Sequence, residues 1–176
     1  MNWYFFYTPW GWAALHADER TVAHSALPTP SPLKLLTLVT QTGAKIRFVS
    51  IDDHFHPLVN SFRAYFQGEI IHDWHVNLSL QGLPPFSQQV LQYVYSIPYG
   101  ETSTYGEVAA AVGSPRAARA VGQVLSRNPI PIIIPCHRIL AKNGLGGFTA
   151  PQGIEMKKRL LQMEQNRLHK TSLSIV

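Results

Sequence analysis

A mixed strand-and-helix unit followed by a mainly helical one is the architecture that this 176-residue sequence predicts, and three observations carry it. The composition, 45% hydrophobic and 14% charged, is that of a globular protein and excludes a mainly disordered chain. Charge is unevenly divided: residues 1–81 carry five basic and six acidic side chains, whereas residues 82–176 carry ten and four. Hydrophobic patterning changes at the same place, from short aromatic runs to helical spacings of three and four. The boundary is therefore expected between residues 81 and 82, at the start of the linker QGLPP.

In chain order, WYFFYT and WAALHA flank Pro9-Trp10-Gly11, and a break at Asp18-Glu19 precedes Thr21-Val22-Ala23, which predicts a small β-meander over residues 3–26. A Pro-rich stretch at 27–32 should interrupt it. Residues 45–51 alternate like another strand, and Leu58, Phe62, Tyr65 and Phe66 fall at helical spacing before a stop at Gly68. His54, His56, His72 and His75 form two i, i+2 pairs. Without cysteine or a carboxylate set beside them, they read as surface or core histidines rather than metal ligands.

Beyond the linker, Phe86, Val90, Val94 and Ile97 mark a helix ended by Pro98-Tyr99-Gly100. Thr104 and Glu107 make a T-x-x-E capping box, so a second helix is expected from Tyr105 to Gly113. Ser114 and Pro115 then offer an N-cap and a first-turn proline for a third helix reaching about Arg127. Two helices so closely joined are a helix-turn-helix candidate. On the third helix Ala117, Val121, Val124 and Leu125 form the inward stripe, while Arg116, Arg119, Gln123 and Arg127 face outward beside Ala118 and Gly122. That basic, low-relief face suits a nucleic-acid groove and equally suits tight helix packing; the helix alone does not choose.

Chemistry concentrates in NPIPIIIPCHR, residues 128–138, where an extended isoleucine run fenced by prolines delivers the sole cysteine, Cys136, directly before a histidine. A lone cysteine excludes an intramolecular disulfide and a multi-cysteine zinc site, so an intracellular, cytoplasmic protein without metal is expected. The absence of an apolar run of ~20 residues, and of a basic segment before Arg20, leads to the expectation of a soluble chain without membrane contact. With His137 and Arg138 beside it, Cys136 reads as a reactive nucleophile rather than a buried core thiol. Side chains of adjacent residues diverge, so His137 would work as base through a water and need an orienting acid, for which Glu164 is the candidate. Lys157-Lys158-Arg159 reads as a solvated helix face.

Four segments in order, IPYGETSTYGEVA, RAARAVG, NPIPIIIPCHRI and the PCHR within it, resemble the methylated-DNA-protein-cysteine methyltransferases, also called O6-alkylguanine-DNA alkyltransferases. The resemblance is strong over residues 84–165 and in outline only before that. It implies a ribonuclease-H-like α/β unit, then a winged-helix-like domain that binds the minor groove of double-stranded DNA carrying O6-alkylguanine. Arg119 is the implied finger that replaces a flipped base, with Arg116, Ala118, Gly122 and Gln123 also on the DNA face. Cys136 becomes the alkyl acceptor, served by His137 and Glu164, and Tyr105 donates a proton to the departing purine. Asn128 is the implied hinge between recognition helix and active-site segment. The base pocket would hold Thr149, Arg138 and Phe148, the last standing where tyrosine is frequent. No cofactor is implied, each molecule would act once, and a monomer is expected.

Three other readings compete. A cysteine hydrolase would need its partners from distant positions, not an abutting Cys136-His137 pair. A non-catalytic damage-binding relative commonly carries tryptophan in place of the cysteine. A transcriptional regulator would bind undamaged DNA by sequence.

Overall fold

Residues 1–39, 44–50, 57–150 and 152–173 are described by the structure, a computed structural model. The chain forms two compact units, Met1–Ser79 with Pro129–Pro131, and Leu80–Asn128 with Ile132–Val176. The three-residue return to the first unit was not expected. Proline supplies a carbonyl without a competing donor, and Ser25 uses that: its amide donates to Pro129 O at 3.0 Å and its hydroxyl to Pro131 O at 2.6 Å.

In the first unit, strands β1 (Asn2–Thr8), β2 (Gly11–Ala17) and β3 (Thr21–Thr29) form the expected antiparallel meander. Strand β4 (Ile46–Val49) joins parallel to β1 and β5 (Asn77–Leu78) parallel to β3, giving the order β4-β1-β2-β3-β5. Trp3, Tyr4, Phe5 and Phe6 are all buried because both faces of β1 are covered. Trp3 and Phe5 pack with Ala14, Ala26 and Leu35. Phe6 instead meets Phe62 edge-on at 5.7 Å, on helix α2 (Pro57–Phe66). Leu35 lies in a short 3-10 turn, Pro32–Leu35, that leads into helix α1 (Leu36–Val39). Helix α2 ends as expected at Gly68, whose φ of 87° suits glycine.

Two expectations are corrected here. The meander does not stop at residue 27: Pro28 lies inside β3, where the register slips between Trp12 and Ala14 and the ladder asks for no amide. The fourth strand ends at Val49, and Ile51, His54 and His56 lie outside the described residues. His72 and His75 are exposed, His75 against Asp73 at 3.2 Å, and no group of metal-ligating side chains occurs among the described residues.

The second unit is helical around a two-rung ladder. Helix α3 (Pro85–Tyr95) starts on Pro85 and buries Val90, Leu91 and Val94. Strand β6 (Ser103–Thr104) precedes helix α4 (Tyr105–Ala111), and the capping box is complete: Thr104 Oγ1 accepts from Glu107 N at 3.2 Å while Glu107 accepts from Thr104 N at 2.6 Å. Helix α5 spans Ala118–Ser126, strand β7 Ile139–Leu140 and helix α6 Gly153–Leu173. No helix among the described residues is long and apolar enough to cross a membrane.

Helix α5 begins later than the sequence predicts, at Ala118 rather than Pro115, and has no side-chain cap. Helix α4 closes with Gly113 N donating to Ala110 O and Ser114 N to Ala109 O, and Ala117 N then donates to Ser114 O at 2.8 Å, so residues 114–117 form a turn ahead of α5. Arg116 consequently lies in the connecting turn and not on α5. The isoleucine run is also not extended: Ile132 and Ile133 form a turn, with Ile132 at φ 76°, a costly conformation for a β-branched residue. Full burial of Ile132, Ile133 and Ile134 offsets that strain.

Candidate active site

The two-rung parallel ladder sets the geometry of the site. Ser103 pairs with Ile139 and Thr104 with Leu140. Strand β6 runs straight into Tyr105, the first residue of α4, and β7 follows the 3-10 turn Cys136–Arg138, so Tyr105 and Cys136 are brought to one cavity. Asn128, just beyond α5, donates from its amide to Ile134 O at 2.9 Å, which fastens the end of that helix to the segment before Cys136. This is the contact a hinge residue would make.

Behind the cysteine stands a buried polar cluster. His137, Arg138 and Glu164 are almost fully withdrawn from solvent. Glu164 Oε1 is 2.9 Å from His137 Nε2 and accepts from Arg138 Nη2 at 2.9 Å; its Oε2 accepts from Arg138 Nε and from Gly100 N, both at 3.0 Å. Arg138 Nη1 also donates to Ile97 O at 2.6 Å. Burial alone would raise the Glu164 pKa, but the hydrogen bonds and charges of His137 and Arg138 outweigh it and hold the carboxyl well below its usual range. A carboxylate only accepts, so His137 Nε2 must carry hydrogen. Burial pushes the His137 pKa down against the pull of Glu164, which leaves a neutral ring whose Nδ1 is the basic atom.

Burial also raises the Cys136 thiol pKa, and several groups oppose it: the Asn128 side chain, the charge of Lys157, and the backbone amides of Cys136 and His137. Burial prevails, so the resting group is the thiol, and these neighbours lower only part of the cost of forming the thiolate. The cavity in front of the sulfur, about 880 Å³, is lined by Cys136, Tyr105, Phe148 and Thr149 and by Ala118, Arg119 and Gly122 of α5. Gly122 lies close to the Tyr105 ring, where a Cβ would stand 3.8 Å from it. The Tyr105 pKa is raised by burial and then by the Cys136 charge, so the phenol keeps its proton. Its hydroxyl donates to Gly147 O at 3.4 Å.

The structure does not bring all the expected residues together. Arg138 is not on the cavity wall; its guanidinium is taken up by Glu164 and Ile97 O and stacks near Tyr99, which corrects its assignment to the base pocket. Arg116 and Gln123 are exposed and do not line the cavity, whereas Arg119 does. The solvated-face reading of residues 157–159 fails at Lys157, which is fully buried, while Lys158 and Arg159 are exposed. Lys157 Nζ donates to Ile139 O and, at 3.3 Å, to Gly147 O, and lies 5.9 Å from the Tyr105 ring centroid. A signal was available: Lys157, Leu160, Leu161 and Glu164 follow i, i+3, i+4, i+7, placing the lysine on the apolar stripe of α6.

Residues 85–166 match the family model of the 6-O-methylguanine DNA methyltransferase DNA-binding domain. The methylated-DNA--protein-cysteine methyltransferase of Mycobacterium leprae is 41% identical over 148 residues, covering 82% of this chain and 87% of that protein. The chain belongs to the methylated-DNA-protein-cysteine methyltransferases. Another methyltransferase of that name, from Methanosarcina mazei, is 38% identical over 88% of this chain and 90% of its own length. Among solved structures, Mycobacterium tuberculosis OGT in complex with DNA is similar over 95% of this chain and 94% of its own, at a TM-score of 0.76 and 33% identity. The O6-methylguanine-DNA methyltransferase of Pyrococcus kodakaraensis is similar at a TM-score of 0.62 and 27% identity, covering 92% of this chain and 98% of its own. Membership in the methyltransferases accords with the coarse architecture, an α/β unit followed by a helical one.

Proposed function

We propose that this chain repairs O6-alkylguanine in duplex DNA by direct reversal, moving the alkyl group to Cys136 once per molecule. The observation that carries the reading is the placement of the sole thiol on the wall of a cavity that it shares with Tyr105 and Arg119, with the His137-Glu164 pair behind it. The family relationship and the placement of Arg119 on the α5 wall of the cavity favour a nucleobase substrate.

The steps follow from the geometry. Arg119, exposed on α5, enters the space left by a base rotated out of the minor-groove side of the duplex, and the small residues Ala118 and Gly122 let the helix approach. Arg116 and Gln123, exposed nearby, contact the backbone. The flipped base enters between Tyr105 and the loop holding Phe148 and Thr149, where Thr149 offers a hydroxyl to O6 and Phe148 packs. His137 Nδ1 accepts the Cys136 proton through a water, and Glu164 stabilises the charged ring. The sulfur then attacks the alkyl carbon. As the S–C bond forms, the C–O6 bond breaks and its electron pair stays on the purine, which Tyr105 neutralises by donating its phenolic proton at N3. The His137 imidazolium returns the thiol proton through solvent to the phenolate, so that proton ends, in balance, on the purine.

A thioether is a poor leaving group, so transfer is irreversible and the protein is consumed. The alkyl group comes from the DNA and no cofactor enters. O4-methylthymine, which offers an alkyl carbon on a similar oxygen, is a secondary substrate on this account, and one chain contains every acting group. We assign the first unit a ribonuclease-H-like fold and the second a winged-helix-like fold that binds DNA and transfers the alkyl group; the boundary expected between residues 81 and 82 falls between Ser79 and Leu80, with Pro129–Pro131 returning to the first unit. The test is restoration of guanine in a duplex with one O6-methylguanine, using limiting protein. Repair should plateau at one lesion per chain and vanish in Cys136→Ala with binding retained; continued turnover would contradict it.

A further inference from the structure

The transfer steps leave the buried Lys157 without a part. Among the described residues no carboxylate lies within ion-pair distance of it, and it does not line the cavity. It donates to two backbone carbonyls, Ile139 O on β7 and Gly147 O on the loop that carries Phe148 and Thr149. An apolar side chain would cover α6 without the cost of burying an ammonium, so the two carbonyls are what this lysine serves. Tyr105 meets the same loop. Its hydroxyl donates at 3.4 Å to Gly147 O, the carbonyl that Lys157 holds at 3.3 Å; an oxygen with two lone pairs accepts both. At Gly146 the backbone passes so close to the ring that a Cβ would stand 2.9 Å from Tyr105 Cε2 and 3.2 Å from its oxygen. The Lys157 ammonium lies 5.9 Å from the ring centroid, and on the other edge a Cβ on Gly122 of α5 would be 3.8 Å from Tyr105 Cε1.

We propose that Lys157 is a strap that aims the Tyr105 phenol: by fixing Gly147 O to β7, it holds the proton donor where the purine N3 arrives. The phenol is wedged between α5 and the Gly146-Gly147 turn, and two glycines in succession hold a shape poorly by themselves. Lys157 reaches from α6 to both β7 and that turn, and its charge strengthens both hydrogen bonds. It is a positioning residue that acts through Tyr105 and keeps its own proton. In the step it serves, the Tyr105 O–H bond breaks as N3–H forms, and the bond pair stays on the phenolic oxygen. Proton transfer demands close alignment, and a misplacement of about 1 Å slows a catalysed step by up to about a hundredfold.

The inference rests on the proposed role of Tyr105 as proton donor, and two arms of one experiment separate them. Single-turnover transfer from duplex O6-methylguanine is measured for the full-length protein, Lys157→Met, Tyr105→Phe and the double variant. Lys157→Met should slow transfer by about tenfold. In the Tyr105→Phe background no hydroxyl is left to aim, and the same substitution should change the rate by less than about twofold. An equal loss in both backgrounds would overturn the strap, because a lysine needed only for stability or for another step slows transfer whether or not the hydroxyl is present. Should Lys157→Met fail to fold, Lys157→Gln goes through the same cycle under the same criterion. Urea unfolding of the four proteins is the arm without DNA: the midpoint losses of the single variants should together exceed that of the double variant, and additive losses would overturn the strap. Absence of transfer in the unmodified protein with non-additive unfolding would sink the repair reading and leave the strap standing. Normal transfer with an equal loss in both backgrounds would do the reverse.

Discussion

Glu164→Gln removes one charge and almost no volume from the centre of the site, which makes it the sharpest probe of how that site is built. The carboxylate accepts four hydrogen bonds, from His137, twice from Arg138 and from Gly100 N. An amide accepts at one oxygen only. If that oxygen faces His137 and Arg138 Nη2, the NH2 group is driven against Arg138 Nε and Gly100 N, donors meeting donors. Arg138 then remains buried without its anion, a loss that runs to about 3–5 kcal/mol when one partner of a buried pair is removed. Summing four separate bonds would overshoot, because they share one charge.

Urea unfolding should therefore show a lower midpoint at pH 7 with an unchanged slope. The sign of the pH dependence follows from the displaced pKa values. Glu164 is depressed from the ordinary 4.5, so its contribution is complete above that pH and is lost as pH falls towards its folded value. His137 is depressed from 6.5, so the unfolded chain takes up that proton first and stability also falls as pH drops below 6.5. In the variant the Glu164 part is missing, and the gap between the two proteins should narrow below pH 4.5. A loss under about 1 kcal/mol at pH 7, or a gap that stays constant into acid, would refute the buried-pair assignment.

Other substitutions separate the remaining roles. Arg119→Ala removes an exposed side chain and should change stability by no more than about 0.5 kcal/mol; repair in duplex DNA should slow by about tenfold or more while transfer from free O6-methylguanine stays the same, and equal slowing of both in single-turnover kinetics would remove the finger role. Tyr105→Phe should slow transfer by about a hundredfold and leave DNA affinity, read by fluorescence anisotropy, nearly unchanged. Gly146→Ala places a methyl 2.9 Å from Tyr105 Cε2 and 3.2 Å from Ala141 N at a φ of 71°. It should displace the ring and cost about 1–2 kcal/mol in thermal unfolding, with transfer slowed in the same samples.

Local signals in the sequence were sufficient wherever one short rule decides the outcome. The capping box before Tyr105, the Gly68 stop and the aromatic strands on either side of Pro9-Trp10-Gly11 each stand where the sequence predicts them. Ser114-Pro115 is a good helix opening by itself, and the turn that Ala117 N closes onto Ser114 O, which delays α5 to Ala118, has no local signal in the sequence. The isoleucine run looked extended because β-branched residues prefer that state; burial of all three side chains overrides the preference and accepts a positive φ at Ile132. Lys157 was missed for the opposite reason. Beside Lys158 and Arg159 it reads as solvent-facing, and the charge run obscured the α6 stripe shared with Leu160, Leu161 and Glu164. Arg138 is next to the cysteine in sequence, yet its long side chain reaches back to Glu164 and Ile97, a direction that sequence spacing does not encode.

In the proposed reaction Cys136 accepts one alkyl group from DNA and keeps it. Intact mass after incubation with an oligonucleotide carrying a single O6-methylguanine, followed by peptide mapping, tests that claim directly. The expected result is a gain of about 14 Da, saturating at one methyl per chain and located on Cys136. A protein that binds the oligonucleotide but gains no mass, or gains it elsewhere, would rule out alkyl transfer to Cys136 and return it to the status of a buried core thiol.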